Sequence, residues 1–147
     1  MKGKYLSNSP AQTKKIARLF AREILKKGPQ KRAVVLGLRG ELGGGKTTFL
    51  QGLARELRIK EKITSPTFVL MRRFQIKGTS FENFYHLDCY RLEGPKEVLA
   101  LGFKEIVFDP KNIVAVEWSE KIESILPKDR IIIFLSTGQR TREIVIK

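Results

Sequence analysis

The chain has 147 residues, of which 41% are hydrophobic and 30% charged, and this balance predicts one globular domain over residues 1–147. Its net charge of +14 favours contact with a polyanion or with an acidic protein. The chain has one cysteine, no apolar run long enough to span a membrane and no signal-peptide core at its start, so we expect a cytoplasmic protein without disulfides or membrane contact.

The first half of the chain predicts helix, strand and helix in that order. Residues 9–27 have the pattern of an amphipathic helix, with Ser9 as its N-cap and Gly28 at its end. An apolar, β-branched segment over residues 33–38 predicts a buried strand. Apolar residues then recur at helical spacing over residues 48–57, which predicts a second helix.

The segment between this strand and the second helix, residues 40–47, fits the phosphate-binding pattern G-x-x-x-x-G-K-[S/T], and we call it the phosphate loop. Its glycines let backbone N–H groups turn toward a phosphate, and the positive end of the following helix points to the same place. Lys46 can reach the β- and γ-phosphates, and Thr47 can offer a hydroxyl to Mg²⁺. The sequence therefore predicts a nucleoside triphosphate site.

The second half of the chain predicts a mixed sheet. Two strands over residues 68–76 and 81–87 are expected to form a hairpin. The other predicted elements are short helices at 95–100 and 120–126 and strands at 113–116, 131–135 and 143–146. The predicted fold class is α/β: one P-loop NTPase-like domain with a mixed parallel and antiparallel sheet flanked by helices. We expect parallel pairing near the phosphate loop and antiparallel pairing in the hairpin and at the C-terminus.

Two acids are candidates for the magnesium and water chemistry that hydrolysis requires. Asp88 and Glu117 each end an apolar strand, and either could hold Mg²⁺ while the other orients the nucleophile. His86 is more readily explained by local hydrogen bonds than as a catalytic base. Trp118 could stack on a base or a partner, or belong to the core. The polar segment over residues 64–67 could be a nucleotide-sensing switch or an ordinary turn.

Four segments together resemble the TsaE family of small bacterial ATPases, which threonylcarbamoyladenosine modification of tRNA requires. They are residues 40–48, 65–68 and 86–91 and the pair Glu117–Trp118, in the family's order and spacing. The resemblance implies ATP and Mg²⁺ as cofactors. It also implies action with the TsaB–TsaD complex, which modifies adenosine 37 of tRNAs that read ANN codons. Whether tRNA itself is contacted stays open.

The resemblance also implies roles for individual residues. Asp88 and Lys46 would be catalytic, and Thr47 and Glu117 would serve Mg²⁺, although the division of roles between the two acids stays open. The nucleotide-binding residues would be Gly43, Gly44, Gly45, Lys46, Thr47 and Thr48, with Trp118 near the nucleotide and Arg140 near adenine or ribose. Two alternatives remain beside this interpretation: a small P-loop kinase, and a basic RNA-binding module that nucleotide switches.

Overall fold

The computed structural model describes residues 1–41, 45–64, 69–137 and 141–147, whose strands form one seven-stranded sheet. The strands are β1 (Gly3–Ser7), β2 (Val34–Arg39), β3 (Met71–Gln75), β4 (Asn83–Asp88), β5 (Asn112–Glu117), β6 (Ile131–Thr137) and β7 (Arg142–Ile146). The helices are α1 (Pro10–Lys27), α2 (Lys46–Glu56), α3 (Lys96–Ala100) and α4 (Phe103–Phe108), with a 3₁₀ helix over Ser119–Ile125.

The sheet is parallel in its middle and antiparallel toward both edges, in the order β1-β7-β6-β2-β5-β4-β3. Strand β2 lies between β5 and β6 and is parallel to both, and β4 is parallel to β5. The pairs β3–β4, β6–β7 and β1–β7 are antiparallel. The predicted mixed sheet is therefore confirmed, including the hairpin and the antiparallel C-terminal strands.

Apolar side chains cover the sheet on both faces. Leu36 and Leu38 of β2 face one core, which α1 and α2 complete with residues such as Phe20 and Phe49. Val35 of β2 faces the second core, which α4 and the 3₁₀ helix complete. Because alternate residues of a strand point to opposite faces, a sheet covered on both sides needs nearly continuous apolar strands. This accounts for the apolar run that predicted β2.

Helix α1 follows the local signals in its sequence. The Ser9 side chain accepts a hydrogen bond from the Gln12 backbone N–H, and Gly28 ends the helix with its own N–H bonded to Ile24. The helix packs closely on α2 at Gly52, where an added Cβ would lie 2.6 Å from the Lys14 carbonyl oxygen. Gly52 is thus a packing residue that lets the two helix backbones approach each other.

The structure adds two elements that the sequence did not predict, β1 and α4. Strand β1 is a short edge strand with the sequence GKYLS, and pairing with β7 rather than an internal apolar pattern makes it a strand. Helix α4 has only six residues and starts after Gly102 in the left-handed region. None of the helices in the described ranges is both long and apolar enough to cross a membrane. The start of the predicted strand over 68–76 lies outside the described residues; within them β3 begins at Met71.

Candidate functional site

Two glycines of the phosphate loop, Gly40 and Gly45, have backbone conformations that other residues rarely adopt. Gly40 has φ +143°, and an added Cβ would lie 2.0 Å from the Leu135 carbonyl oxygen of β6. Gly45 has φ +95° and is the N-cap residue of α2. Both values lie in the region that favours glycine. Gly43 and Gly44 lie outside the described residues.

Lys46 is the first residue of α2 and is buried, with only 6% of its surface exposed. Its Nζ donates hydrogen bonds to the carbonyl oxygens of Gly40, at 2.5 Å, and Glu41, at 3.0 Å. Burial lowers the pKa of Lys46, while the charges of Glu117, Glu120 and Asp88 oppose that shift. Both acceptors are neutral carbonyls, so a phosphate oxygen would be a stronger acceptor for this ammonium group.

The first turn of α2 carries the two predicted hydroxyl residues, Thr47 and Thr48. Both are partly buried. The first N–H groups of a helix have no partner within the helix, and among the described residues no side chain caps this end of α2. No acidic residue lies in the first turn either. The positive end of α2 therefore presents backbone donors and a hydroxyl, with no carboxylate in its own first turn.

The two predicted acids end neighbouring parallel strands and lie opposite each other. Asp88 and Glu117 are register partners in the β4–β5 pair, and Glu117 also pairs with Leu38 at the end of β2. Paired residues share a face of a sheet, and Leu38 belongs to the core under α2. Both acids are therefore aligned with the face that carries α2, at the edge where the phosphate loop leaves β2. The charges of both act on Lys46.

The two acids differ in their surroundings. Glu117 is buried, and its Oε2 lies 2.6 Å from Nε2 of His86, which is fully buried. A carboxylate only accepts, so Nε2 of His86 carries the hydrogen of this bond. Asp88 is partly exposed, and its Oδ1 accepts a hydrogen bond from the Tyr90 backbone N–H at 3.0 Å. Glu117 is thus buried and held by a side chain, whereas Asp88 is accessible to solvent.

His86 therefore makes a hydrogen bond, as the sequence suggested, but its partner is 31 residues away rather than local. The sequence held one signal for this contact: His86 lies two residues before Asp88, and alternate residues of a strand share a face, so His86 was expected on the same face as that acid. Strand β4 ends at Asp88, so Tyr90 lies beyond the strand that holds His86 and Asp88. Tyr90 is 46% exposed, whereas His86 is fully buried.

Trp118 lies between Lys46 and Tyr90. Its ring is 4.5 Å from the Lys46 Nζ and 5.1 Å from the Tyr90 ring, measured to centroids. The residue has φ +57° and ψ +43°, a left-handed conformation that is uncommon for a bulky side chain. Trp118 is the one residue between the end of β5 at Glu117 and the start of the 3₁₀ helix at Ser119, so the chain turns at this position. Arg140, predicted near adenine or ribose, lies outside the described residues, as does the segment 65–67 of the suggested switch.

The oxygen donors present suit Mg²⁺. Within the described ranges, no group of three His, Cys, Asp or Glu side chains is arranged to hold a metal by itself. Mg²⁺ in nucleotide sites does not need one, since it takes one or two protein oxygens and completes its shell with phosphate oxygens and water. The Thr47 hydroxyl and a Glu117 carboxylate whose second oxygen is already oriented by His86 match that requirement.

Comparison with known proteins identifies the chain's relatives. The sequence model of the family described as "Threonylcarbamoyl adenosine biosynthesis protein TsaE" matches residues 7–144. A protein of Bacillus subtilis named "tRNA threonylcarbamoyladenosine biosynthesis protein TsaE" is 37% identical over 142 residues, which cover 96% of this chain and 82% of that protein. The protein of the same name from Haemophilus influenzae is 34% identical over 122 residues, covering 83% and 75% of the two chains.

A solved structure has the same fold. The crystal structure of YdiB from Bacillus subtilis superimposes with a TM-score of 0.70 at 32% sequence identity. The match covers 99% of this chain and 84% of that chain. The similarity therefore extends over nearly the whole chain.

Proposed function

The chain belongs to the TsaE family of threonylcarbamoyl adenosine biosynthesis proteins, and from this we propose that it binds and hydrolyses ATP in support of that tRNA modification. One observation carries the proposal: Asp88 and Glu117 lie side by side at the carboxyl ends of parallel strands, and the charges of both act on Lys46. A phosphate loop alone would support binding. A loop with two acids on neighbouring strand ends supports hydrolysis as well.

In this proposal the phosphate loop holds the triphosphate. Backbone N–H groups of Gly43 to Thr48 surround the phosphates, and the Lys46 ammonium exchanges its two carbonyl partners for phosphate oxygens. Thr47 and Glu117 hold Mg²⁺, which supplies positive charge against the β- and γ-phosphates when it is bound. Trp118 lies beside Lys46 and borders the nucleotide, and Arg140 contributes to the base or ribose side.

The different surroundings of the two acids divide their roles. A residue that positions a metal benefits from a rigid carboxylate, and the buried hydrogen bond from His86 makes Glu117 rigid. A residue that orients water benefits from access to solvent, and Asp88 is partly exposed. We therefore assign Glu117 to Mg²⁺ and Asp88 to the attacking water, whose proton its carboxylate accepts.

The partners that we propose are the TsaB and TsaD proteins, with the modification reaction on their side. Two exposed apolar side chains flank the Asp88 end of the sheet: Val69, which is 52% exposed, and Tyr90, which is 46% exposed. Exposed apolar groups next to a catalytic edge favour contact with another protein there. The net charge of +14 favours an acidic contact surface or nearby tRNA, and the cytoplasm is where this modification would take place.

The test is ATP hydrolysis by the purified chain, alone and with TsaB and TsaD. We expect Lys46→Ala to weaken ATP binding, and Asp88→Asn to retain binding while losing hydrolysis. Asp129→Asn is the matched control, because Asp129 is exposed and lies two residues before β6, at the opposite end of the parallel strands from Asp88. Wild-type turnover in Asp88→Asn would contradict the assignment of Asp88. Turnover that requires a small-molecule acceptor would support a kinase instead.

A further inference from the structure

A second cation lies against the phosphate loop, and the motif does not include it. Arg142 is the first residue of β7, where it pairs with Ser7 of β1 and Thr137 of β6. Its side chain reaches Gly45, the N-cap residue of α2. A Cβ added to Gly45 would lie 2.8 Å from the Arg142 Nη1 and 3.4 Å from its Cδ. The guanidinium group therefore lies directly over the start of α2.

The surroundings of this guanidinium do not explain its position. Nη1 is buried, and it has no hydrogen-bond partner among the residues that the structure describes. A buried donor without a partner loses its hydration without compensation. The positive end of α2 also repels a cation, and no acid lies in the first turn of the helix to offset the repulsion. Arg142 thus combines a buried donor without a partner and a cation at the positive end of a helix, and both are unfavourable.

An anion at the N-terminus of α2 would satisfy the unpaired donor and offset the charge repulsion. It would accept the hydrogen bond that Nη1 lacks, and it would lie between two cations, Arg142 and Lys46, at the positive end of the helix. Because Arg142 lies beside Gly45, in the part of the loop whose N–H groups surround the α- and β-phosphates, the anion is placed there rather than at the γ-phosphate.

We propose that Arg142 is a nucleotide-binding residue whose guanidinium donates to the α- or β-phosphate of the nucleotide in the phosphate loop. The inference rests on the proposed nucleotide site and adds a residue to it. It implies that ADP and ATP gain equally from Arg142. It also implies that the apo protein would be at least as stable with an apolar side chain at this position.

The test compares Arg142→Met with Lys4→Met by calorimetric binding and thermal unfolding. Lys4 lies on β1, is exposed and forms an ion pair with Glu143 of β7. Its replacement therefore removes the same charge from the neighbouring strand without touching the loop. We expect Arg142→Met to lower the affinity for ADP, ATP and tripolyphosphate by at least about tenfold, since a charge-assisted hydrogen bond is lost. The melting temperature of its apo form should be unchanged or higher, and Lys4→Met should bind like the wild type.

Three results would overturn the proposal. Unchanged affinities with a lower apo melting temperature would make Arg142 a packing residue. A loss confined to ATP would place its contact at the γ-phosphate. A loss for the nucleotides but not for tripolyphosphate, which has no base or ribose, would place its contact away from the phosphates. If Arg142→Met does not fold, Arg142→Lys tests the binding alone: it keeps the charge but loses the planar fork, so the affinities for ADP, ATP and tripolyphosphate should still fall, and unchanged affinities would contradict the proposal.

The outcome separates this inference from the proposed function. If the wild type and Lys4→Met bind neither ADP nor ATP, the nucleotide site itself fails and the inference fails with it. If both bind nucleotide and Arg142→Met binds equally well, only the inference fails.

Discussion

The buried pair of His86 and Glu117 supports a prediction in which two substitutions distinguish the roles of the two imidazole nitrogens. Asparagine at position 86 would place an amide nitrogen near the site of Nδ1, whereas glutamine would place one near Nε2, the atom that contacts Glu117. His86→Asn should therefore break the bond to Glu117, and His86→Gln should keep it. The two variants are otherwise matched in chemistry, so their difference reports on this hydrogen bond.

The expected size of the effect follows from burial. Both side chains are almost fully buried and 2.6 Å apart, so a lost charge-assisted hydrogen bond costs about 1.5–3 kcal/mol. Unfolding entropy of about 2.1 cal/mol/K per residue, over 147 residues, converts each 1 kcal/mol into about 3 °C of melting temperature. We expect His86→Asn to unfold about 5–9 °C lower than the wild type. His86→Gln should lose less than half of that.

The measurements are thermal unfolding and the Mg²⁺ concentration that gives half-maximal ATP hydrolysis. If His86 positions the metal-side carboxylate, His86→Asn should need more Mg²⁺ and His86→Gln should resemble the wild type. In a Glu117→Gln background the charge of the acceptor is gone, so the asparagine substitution should cost at least about 1 kcal/mol less. Equal stability and equal Mg²⁺ requirement in the two His86 variants would refute the reasoning.

Two further predictions concern the backbone and the thiol. Gly40→Ala should lower the free energy of unfolding by about 3 kcal/mol or more, because its Cβ would collide with the Leu135 carbonyl; Gly94→Ala, with open space around it, should be near neutral in the same urea titration. Burial raises the pKa of Cys89 from 9.0 to about 12, so its thiolate fraction at pH 8 falls about a thousandfold. A thiol reagent should therefore modify native Cys89 far more slowly than a cysteine placed at exposed Phe108, and rapid modification of the native wild type would show that the site is accessible.

Local chemistry explains why much of the fold was predictable. The cap at Ser9 and the stop at Gly28 each act on neighbouring residues of α1, so the sequence contains the whole signal. Strand β1 was missed because its sequence has no alternating apolar pattern and its conformation depends on pairing with β7. Helix α4 was missed as well; it has six residues and no side-chain cap at its start.

The residue types of the candidate site could be proposed from the sequence, but their contacts could not. Lys46, Asp88 and Glu117 could be proposed because a motif and two strand ends mark them. The contact of Arg142 with Gly45 depends on where β7 begins, 97 residues after the glycine that its side chain covers. Contacts of that kind depend on the order of strands in the sheet, which no sequence pattern in this chain specified.

Strand register is what makes the two acids unequal. In sequence, Asp88 and Glu117 look alike, since each ends an apolar strand. The observed register aligns them and puts His86 beside Ala115, so the imidazole and both acids share the face that carries α2. A slip of one residue between β4 and β5 would turn His86 and Glu117 to opposite faces. The carboxylate that we assign to Mg²⁺ is therefore held by the same pairing that buries the two cores, and any change that shifts this register should disable hydrolysis before it unfolds the sheet.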